Sequence, residues 1–406
     1  MKIALVVDKF PNRSQTFVMS QITGLIDRDH EVHIHANAKG KPPDVHSDIE
    51  KYSQGARAFY LWRSGLWSLG SIGMRVGTLL LLGVRNVVKS GKVATSLKLF
   101  LKGAGLISNG PYDIVHCHFG PRGNIGAALK AAGVIQGKLV TTFYGFDLTS
   151  YIEERGPAVY NLLFSRGDLF IAISEKMKND LIRLGCRPDK IIVHRLGVDL
   201  KNFQFRPSIQ KKVGERIQIL TIGRFVEKKG MEYGLRAFAK VVEKFPQIEY
   251  KIVGDGELRD EIDSLVSTLN LDDRLQLLGW KTQEDVAKLL ESADIFLAPS
   301  VTSANGDQEG TPTVIIEALA RGVPVLSTDH AGIPELIQNG KSGFLVPERD
   351  VEALSERLEW LINHPEVWEQ MGCEGRKQVE KYYDINKLND QLVNAYECLI
   401  GESRIL

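Results

Sequence analysis

Residues Ser300 to Thr328 read SVTSANGDQEGTPTVIIEALARGVPVLST. A polar, glycine-containing loop gives way at Thr311-Pro312 to an apolar helical pattern, and a β-branched run follows at Val323–Ser327. Thr311 suits an N-cap and Pro312 suits the first helical position. A second apolar run, Ile295–Ala298, stands just before the loop. The order is therefore strand, loop, helix, strand, the repeating unit of a parallel sheet covered on both faces.

The same alternation extends in both directions. Runs at Lys2–Val7, Glu31–His35, Asp113–His118, Leu139–Phe143, Leu169–Ile173 and Ile191–His194 fill the first half. Ile217–Ile222, Glu249–Val253, Leu275–Leu278, Ile295–Ala298, Val323–Ser327 and Gly343–Val346 fill the second. Six and six predict an α/β protein of two doubly wound, Rossmann-like domains facing across a cleft. The polar stretch near residues 200–215 reads as a linker, giving domains at 1–205 and 206–383 and a tail helix in 384–406. Ligands of such sheets bind at the carboxyl ends of the strands.

The 406 residues are 43% hydrophobic, 8% aromatic and 25% charged. This composition excludes a disordered, collagenous or disulfide-built chain. Cys117, Cys186, Cys373 and Cys398 are scattered and form no C-x-x-C pair, which fits a reducing compartment. No signal-peptide core or spanning run is visible, so a cytoplasmic location is expected. With 51 basic against 50 acidic residues, the chain has no overall polyanion-binding character.

The charge is unevenly placed. From Lys51 to Tyr112 nine basic residues occur and no acidic one, which leaves the remainder 42 basic against 50 acidic. The segment also holds Trp62, Trp67 and several leucines, and on a helix Arg85, Lys89 and Lys92 share a face. Residues 51–112 are thus expected to rest on an anionic membrane surface, on the inner face of the cytoplasmic membrane. A solvated basic face over a helical core is the plainer alternative. Nucleic acid is not an expected partner, since the aromatics are not interleaved as a stacking platform.

Two constellations carry chemistry. Glu309 stands in the loop before the helix and Glu317 inside it, on either side of Gly310, Thr311 and Pro312. Free N–H groups at that helix start favour an anion. The turn Gly223-Arg224-Phe225-Val226-Glu227-Lys228-Lys229-Gly230 follows the strand Ile217–Ile222 and places Arg224 and Lys229 where a diphosphate would lie. Two such cations can neutralise a departing diphosphate without a metal. Together these groups can hold a nucleoside-diphosphate sugar. Gly254 in Gly254-Asp255-Gly256 is a weaker sign of a nucleotide border. No G-x-G-x-x-G follows the first strand, which disfavours an NAD-dependent dehydrogenase.

With these marks the chain resembles the retaining, family 4 nucleotide-sugar glycosyltransferases of the GT-B fold. It is most similar to the colanic acid and exopolysaccharide type, through FPNRSQTFVMSQITGLIDRDHEV, HFGPRGNIGAALKAAGV and PSVTSANGDQEGTPTVIIEALARGVPVLST. The resemblance implies a UDP- or GDP-sugar donor, UDP the more expected, and a lipid-linked saccharide acceptor in extracellular or capsular polysaccharide synthesis. It implies Arg224 and Lys229 on the diphosphate, Glu317 on the ribose and Glu309 on the transferred sugar. Gly223, Gly254, Gly310, Thr311 and Pro312 would close around the donor, with no cofactor and no metal. It also implies a C-terminal helix that crosses back to the first domain.

In the first half, relatives carry Thr-Phe-His-Gly-x-Asp where this chain has Thr142-Phe143-Tyr144-Gly145-Phe146-Asp147, and Ser-Glu-Thr-Phe where it has Ser14-Gln15-Thr16-Phe17. Ser14, Gln15, Thr16, His118, Tyr144 and Asp147 are the expected acceptor-side residues. Tyr144 can donate a hydrogen bond to a sugar but is no base near neutral pH. His116 and His118 lie on one side of a strand with no third ligand placed, so no metal site is expected. The competing functions are a nucleotide-sugar epimerase on the same fold and a non-catalytic sugar-nucleotide-binding protein of the pathway.

Overall fold

The computed structural model describes residues 1–12, 16–40, 56–60, 103, 105–206 and 214–401. Ser14, Gln15 and most of the basic segment 51–112 lie outside the described residues. The chain forms two compact units, Met1–His194 with Asn389–Leu406, and Arg195–Leu388.

The first unit holds a parallel sheet of β1 (Lys2–Phe10), β2 (Glu31–Lys39), β3 (Ala56–Tyr60), β4 (Ile114–His118), β5 (Lys138–Phe143), β6 (Leu169–Ala172) and β7 (Ile191–Val193). Their order is β3-β2-β1-β4-β5-β6-β7. The edge strand β3 was not expected. Its ARAFY sequence lies inside the basic segment, yet it pairs with β2 from Val32 opposite Ala56 to Ala36 opposite Tyr60. Ile3, Leu5 and Val7 of β1 pack against Val18, Ile22 and Leu25 of the helix Thr16–Ile26. Leu392 and Tyr396 of the last helix, Ile385–Ile400, join the same core.

The second unit is built on β8 (Ile217–Ile222), β9 (Ile248–Val253), β10 (Leu275–Leu277), β11 (Ile295–Ala298), β12 (Val325–Thr328) and β13 (Gly343–Val346), in the order β10-β9-β8-β11-β12-β13. Alternate residues enter opposite cores because successive side chains of a strand point to opposite faces. Ile219, Ile252, Leu297 and Leu326 pack with the helices Met231–Val242 and Val351–Asn363. Leu220, Val253, Phe296 and Val325 pack with Gln283–Ser292 and Thr313–Arg321. Both faces are buried, which is why these strands read as continuous apolar runs.

The division between units falls at His194 and Arg195, before the expected boundary at residue 205. Residues 195–206 are anchored on the second unit rather than free. The Val198 N–H donates to the Tyr383 carbonyl, Phe203 is buried, and Arg321 donates to the carbonyls of Asn202 and Gln204. This polar-looking stretch hides its anchoring, because it is fixed through backbone groups and one buried phenylalanine. At the other end the division runs inside the tail helix, between Leu388 and Asn389.

In both sheets the strand order reverses beside the first strand of the unit, between β1 and β4 and between β8 and β11. Crevices form at such switch points. The helix Thr313–Arg321, which leaves the second crevice, is backed by the helix Trp368–Tyr382. A Cβ on Gly372 would come within 2.1 Å of the Gly322 carbonyl oxygen. Alanine gains about 1 kcal/mol over glycine inside a helix, so local propensity and packing oppose each other here. Gly372→Ala is expected to lose roughly 2 kcal/mol in urea denaturation, overpacking outweighing propensity.

Candidate active site

The loop after β8 and the loop after β11 meet at the switch point and are bound to each other by several contacts. The Val301 N–H donates to the Lys228 carbonyl at 2.9 Å, and Ala304 N–H donates to Glu227 Oε1 at 2.9 Å. Lys228 Nζ pairs with Asp307 Oδ2 at 2.9 Å and donates to the Gln308 carbonyl at 3.3 Å. Lys229 Nζ reaches Glu309 Oε1 at 3.0 Å, with both side chains largely buried. Burial pushes the Glu309 carboxyl up, but Lys229 and then Lys228 outweigh it and hold it below the usual carboxylate range. An ionised carboxylate and an ammonium are thus kept together at the carboxyl ends of β8 and β11.

Arg224 follows Gly223 in the same turn, is exposed, and pairs with none of the described carboxylates. Lys229, not the two cations together, contacts Glu309. The Lys229 stem lies over Gly223, and the Gly223 N–H donates to Val253 O at 2.9 Å, while the Gly254 backbone runs directly beneath the Gly223 carbonyl.

The site helix starts one residue later than the sequence suggests. Pro312, not Thr311, is its N-cap, and no side chain caps it. Ile315 N–H bonds back to the Pro312 carbonyl at 3.1 Å, leaving the Thr311 hydroxyl buried and without a hydrogen-bond partner among the described residues. Glu317, one turn into this helix, is buried and accepts from Gln283 Nε2 at 3.0 Å. Burial pushes its carboxyl up to about 7, the Gln283 hydrogen bond acting the other way.

Sequence reasoning missed His330 and Glu348. The Glu309 N–H donates to His330 Nε2 at 3.0 Å, and His330 Nδ1 lies 2.6 Å from Glu348 Oε1. The available signal was position, because His330 stands just past the carboxyl end of β12.

In the first unit, His118 Nδ1 and Tyr144 Oη share a hydrogen bond of 2.7 Å, and both residues are buried. Burial lowers His118 to about 3 and raises Tyr144 well above its ordinary range, so the pair is neutral. His116 uses both ring nitrogens, on Tyr396 Oη and Thr142 Oγ1, each at 2.6 Å. Thr16 opens the first helix, and the ring of its neighbour Phe17 lies 4.5 Å from that of Tyr144.

Asp147 does not present itself to an acceptor. It is fully buried and accepts the N–H groups of Gly120, Tyr144 and Gly145, tying the Tyr144 turn to the start of the helix Gly120–Ala131. Its role is to hold the turn that carries Tyr144. Among the described residues no group of three or more His, Cys, Asp or Glu could hold a metal ion, and no helix is long and apolar enough to cross a membrane.

The chain matches known proteins along nearly its whole length. Residues 202–378 match the model of glycosyl transferases group 1, and residues 14–202 that of glycosyltransferase family 4. The putative colanic acid biosynthesis glycosyltransferase WcaL of Salmonella typhimurium is 34% identical over 98% of this chain and all of its own. The amylovoran biosynthesis glycosyltransferase AmsK of Erwinia amylovora is 34% identical over 88% of this chain and 90% of its own. Among solved structures, Anabaena HepE in complex with UDP and glucose superposes with a TM-score of 0.72 at 20% identity, covering 98% of this chain and 100% of HepE. Sucrose-phosphate synthase from Thermosynechococcus elongatus gives 0.77 at 20% identity, covering 99% and 100%.

The fold is therefore GT-B, and the class is that of the glycosyltransferases. The chain belongs to glycosyltransferase family 4, in the group that holds the colanic acid and amylovoran enzymes.

The Glu317 carboxyl gives a pH test. Between the ordinary glutamate range and about 7 the folded protein keeps a proton that the unfolded chain has lost, so stability falls as pH rises through that window. Up to about 3 kcal/mol should disappear between about pH 5 and pH 8. Glu317→Gln, which mimics the protonated acid, should lose correspondingly less across the same window in paired urea denaturations.

Proposed function

We propose that this glycosyltransferase retains configuration and moves a hexosyl group from a nucleoside-diphosphate sugar, UDP in preference to GDP, to a lipid-linked saccharide. The product would belong to an extracellular or capsular polysaccharide. The observation that carries this reading is the buried Lys229–Glu309 pair beside the start of the helix Thr313–Arg321. An anion entering here meets the Lys229 ammonium, the exposed Arg224 and the first N–H groups of a helix.

In this reading Arg224 and Lys229 neutralise the diphosphate as it departs, which supplies the charge a metal would otherwise bring. Glu317 takes the ribose hydroxyls and Glu309 the transferred sugar, with Gly310, Thr311 and Pro312 around it. The Thr311 hydroxyl, which has no hydrogen-bond partner among the described residues, would join them. The leaving phosphate would accept the acceptor's proton on the face it vacates, so configuration is kept without a protein nucleophile. Two carboxylates flanking the bond in hydrolase fashion fit less well, because both glutamates belong to one helix-start motif. The UDP preference is supported by HepE, whose structures contain UDP and UDP-glucose. The acid-free segment 51–112 supports delivery to an anionic membrane where a lipid-linked acceptor resides.

Turnover with a panel of UDP- and GDP-hexoses and membrane-extracted glycolipids tests this. Glu309→Gln should lower kcat roughly 100-fold while UDP affinity changes less than about threefold. Lys229→Met and Arg224→Ala should each weaken UDP binding about tenfold, and EDTA should leave transfer unchanged. UDP binding without any glycosyl product would favour a non-catalytic binder, and donor conversion without acceptor an epimerase.

For the membrane, flotation with anionic liposomes should weaken with salt and on changing Arg85, Lys89 and Lys92 to Glu. Failure to float at low salt contradicts that part.

A further inference from the structure

We propose that His330 is a positioning residue for Glu309, acting on the Glu309 backbone, with Glu348 fixing the tautomer of its ring. The proposal rests on the reading of Glu309 as the residue that meets the transferred sugar.

The hydrogen-bond directions leave one arrangement. A backbone N–H can only donate, so the Nε2 that lies 3.0 Å from Glu309 N is the bare nitrogen. The ring proton is then on Nδ1, pointing at Glu348 Oε1 2.6 Å away. Glu348 also accepts the Thr302 N–H at 2.6 Å and the Thr302 hydroxyl at 3.2 Å. One carboxylate thus grips the beginning of the 302–309 loop directly and its end through the imidazole.

The ring sits in a confined seat. His330 is fully buried, its own N–H donates to the Thr328 carbonyl, and the next turn lies under the site. A Cβ on Gly332 would come within 2.4 Å of the Gly310 carbonyl oxygen, so the 330–332 turn is in direct contact with the backbone after Glu309. Glu309 is consequently held from two sides, its carboxylate by the loop after β8 and its peptide by the loop after β12. Removing the imidazole frees the peptide while leaving Lys229, Arg224 and Glu317 in place. A displacement of about 1 Å in such a group can cost up to about 100-fold in rate.

Four variants decide the matter: His330→Ala, His330→Gln, Glu309→Gln, and the double variant that combines His330→Ala with Glu309→Gln. Glutamine can accept from Glu309 N–H through its amide oxygen and donate to Glu348 through its amide nitrogen. Hydrogen exchange by mass spectrometry should show faster exchange around residues 305–312 in His330→Ala and near wild-type exchange in His330→Gln. With the panel donor that the wild type uses best, His330→Ala should lose at least roughly tenfold in kcat. Its dissociation constant for UDP should stay within about twofold, and His330→Gln should recover most of the rate. In the double variant the alanine should add nothing to the loss caused by Glu309→Gln.

Unchanged exchange in His330→Ala overturns the proposal, as does full turnover by that variant while Glu309→Gln is inactive. A parallel fall of kcat and UDP affinity with no rescue by glutamine also overturns it, because that is the mark of general unfolding. Full turnover by Glu309→Gln overturns the role assigned to Glu309, and the positioning claim with it.

Discussion

An ammonium and a carboxylate buried side by side, Lys229 and Glu309, set the terms for the rest of the second unit. Each would be costly to bury alone, and removing one partner of such a pair typically costs about 3–5 kcal/mol. The loops that carry them are therefore obliged to stay together, and the Lys228–Asp307 pair and the backbone bonds from Val301 and Ala304 keep them so. A buried lysine with no matching anion tends to lose its charge, so each member of the pair depends on the other.

The sheet explains why these loops meet. Strands β8 and β11 are neighbours at the point where strand order reverses, so the loops leaving their carboxyl ends lie side by side at the crevice such a point forms. Residues distant in sequence arrive there together: Lys229 after β8, Glu309 after β11 and His330 after β12. The first unit repeats the plan with β1 and β4. There the neutral His118–Tyr144 pair and the turn held by Asp147 stand at the carboxyl ends of β4 and β5.

Much of the fold was legible in the chain because buried parallel strands declare themselves as apolar runs, and of the cations and carboxylates singled out by their turns the structure brings Lys229 and Glu309 into contact. The parts that were not legible share a cause: they depend on contacts across the sheet order. The strand β3 was hidden by its cationic neighbours, since pairing to β2 uses the backbone and not the side chains that pattern reading weighs. Asp147 looked like a polar group aimed at a ligand, whereas three backbone N–H groups converge on it. The Thr311 cap was misplaced by one residue, because Pro312 fits N-cap and first-turn geometry alike and only the backbone angles separate them. His330 has no motif of its own and acquires meaning only beside Glu309 and Glu348.

The most direct test of the account is a crystal structure of the protein with UDP bound. The account predicts the two phosphates between Arg224, Lys229 and the first residues of the helix Thr313–Arg321, with the ribose against Glu317. Phosphates lodged elsewhere, with Lys229 still closed on Glu309 and Glu317 out of reach of the nucleotide, would contradict it.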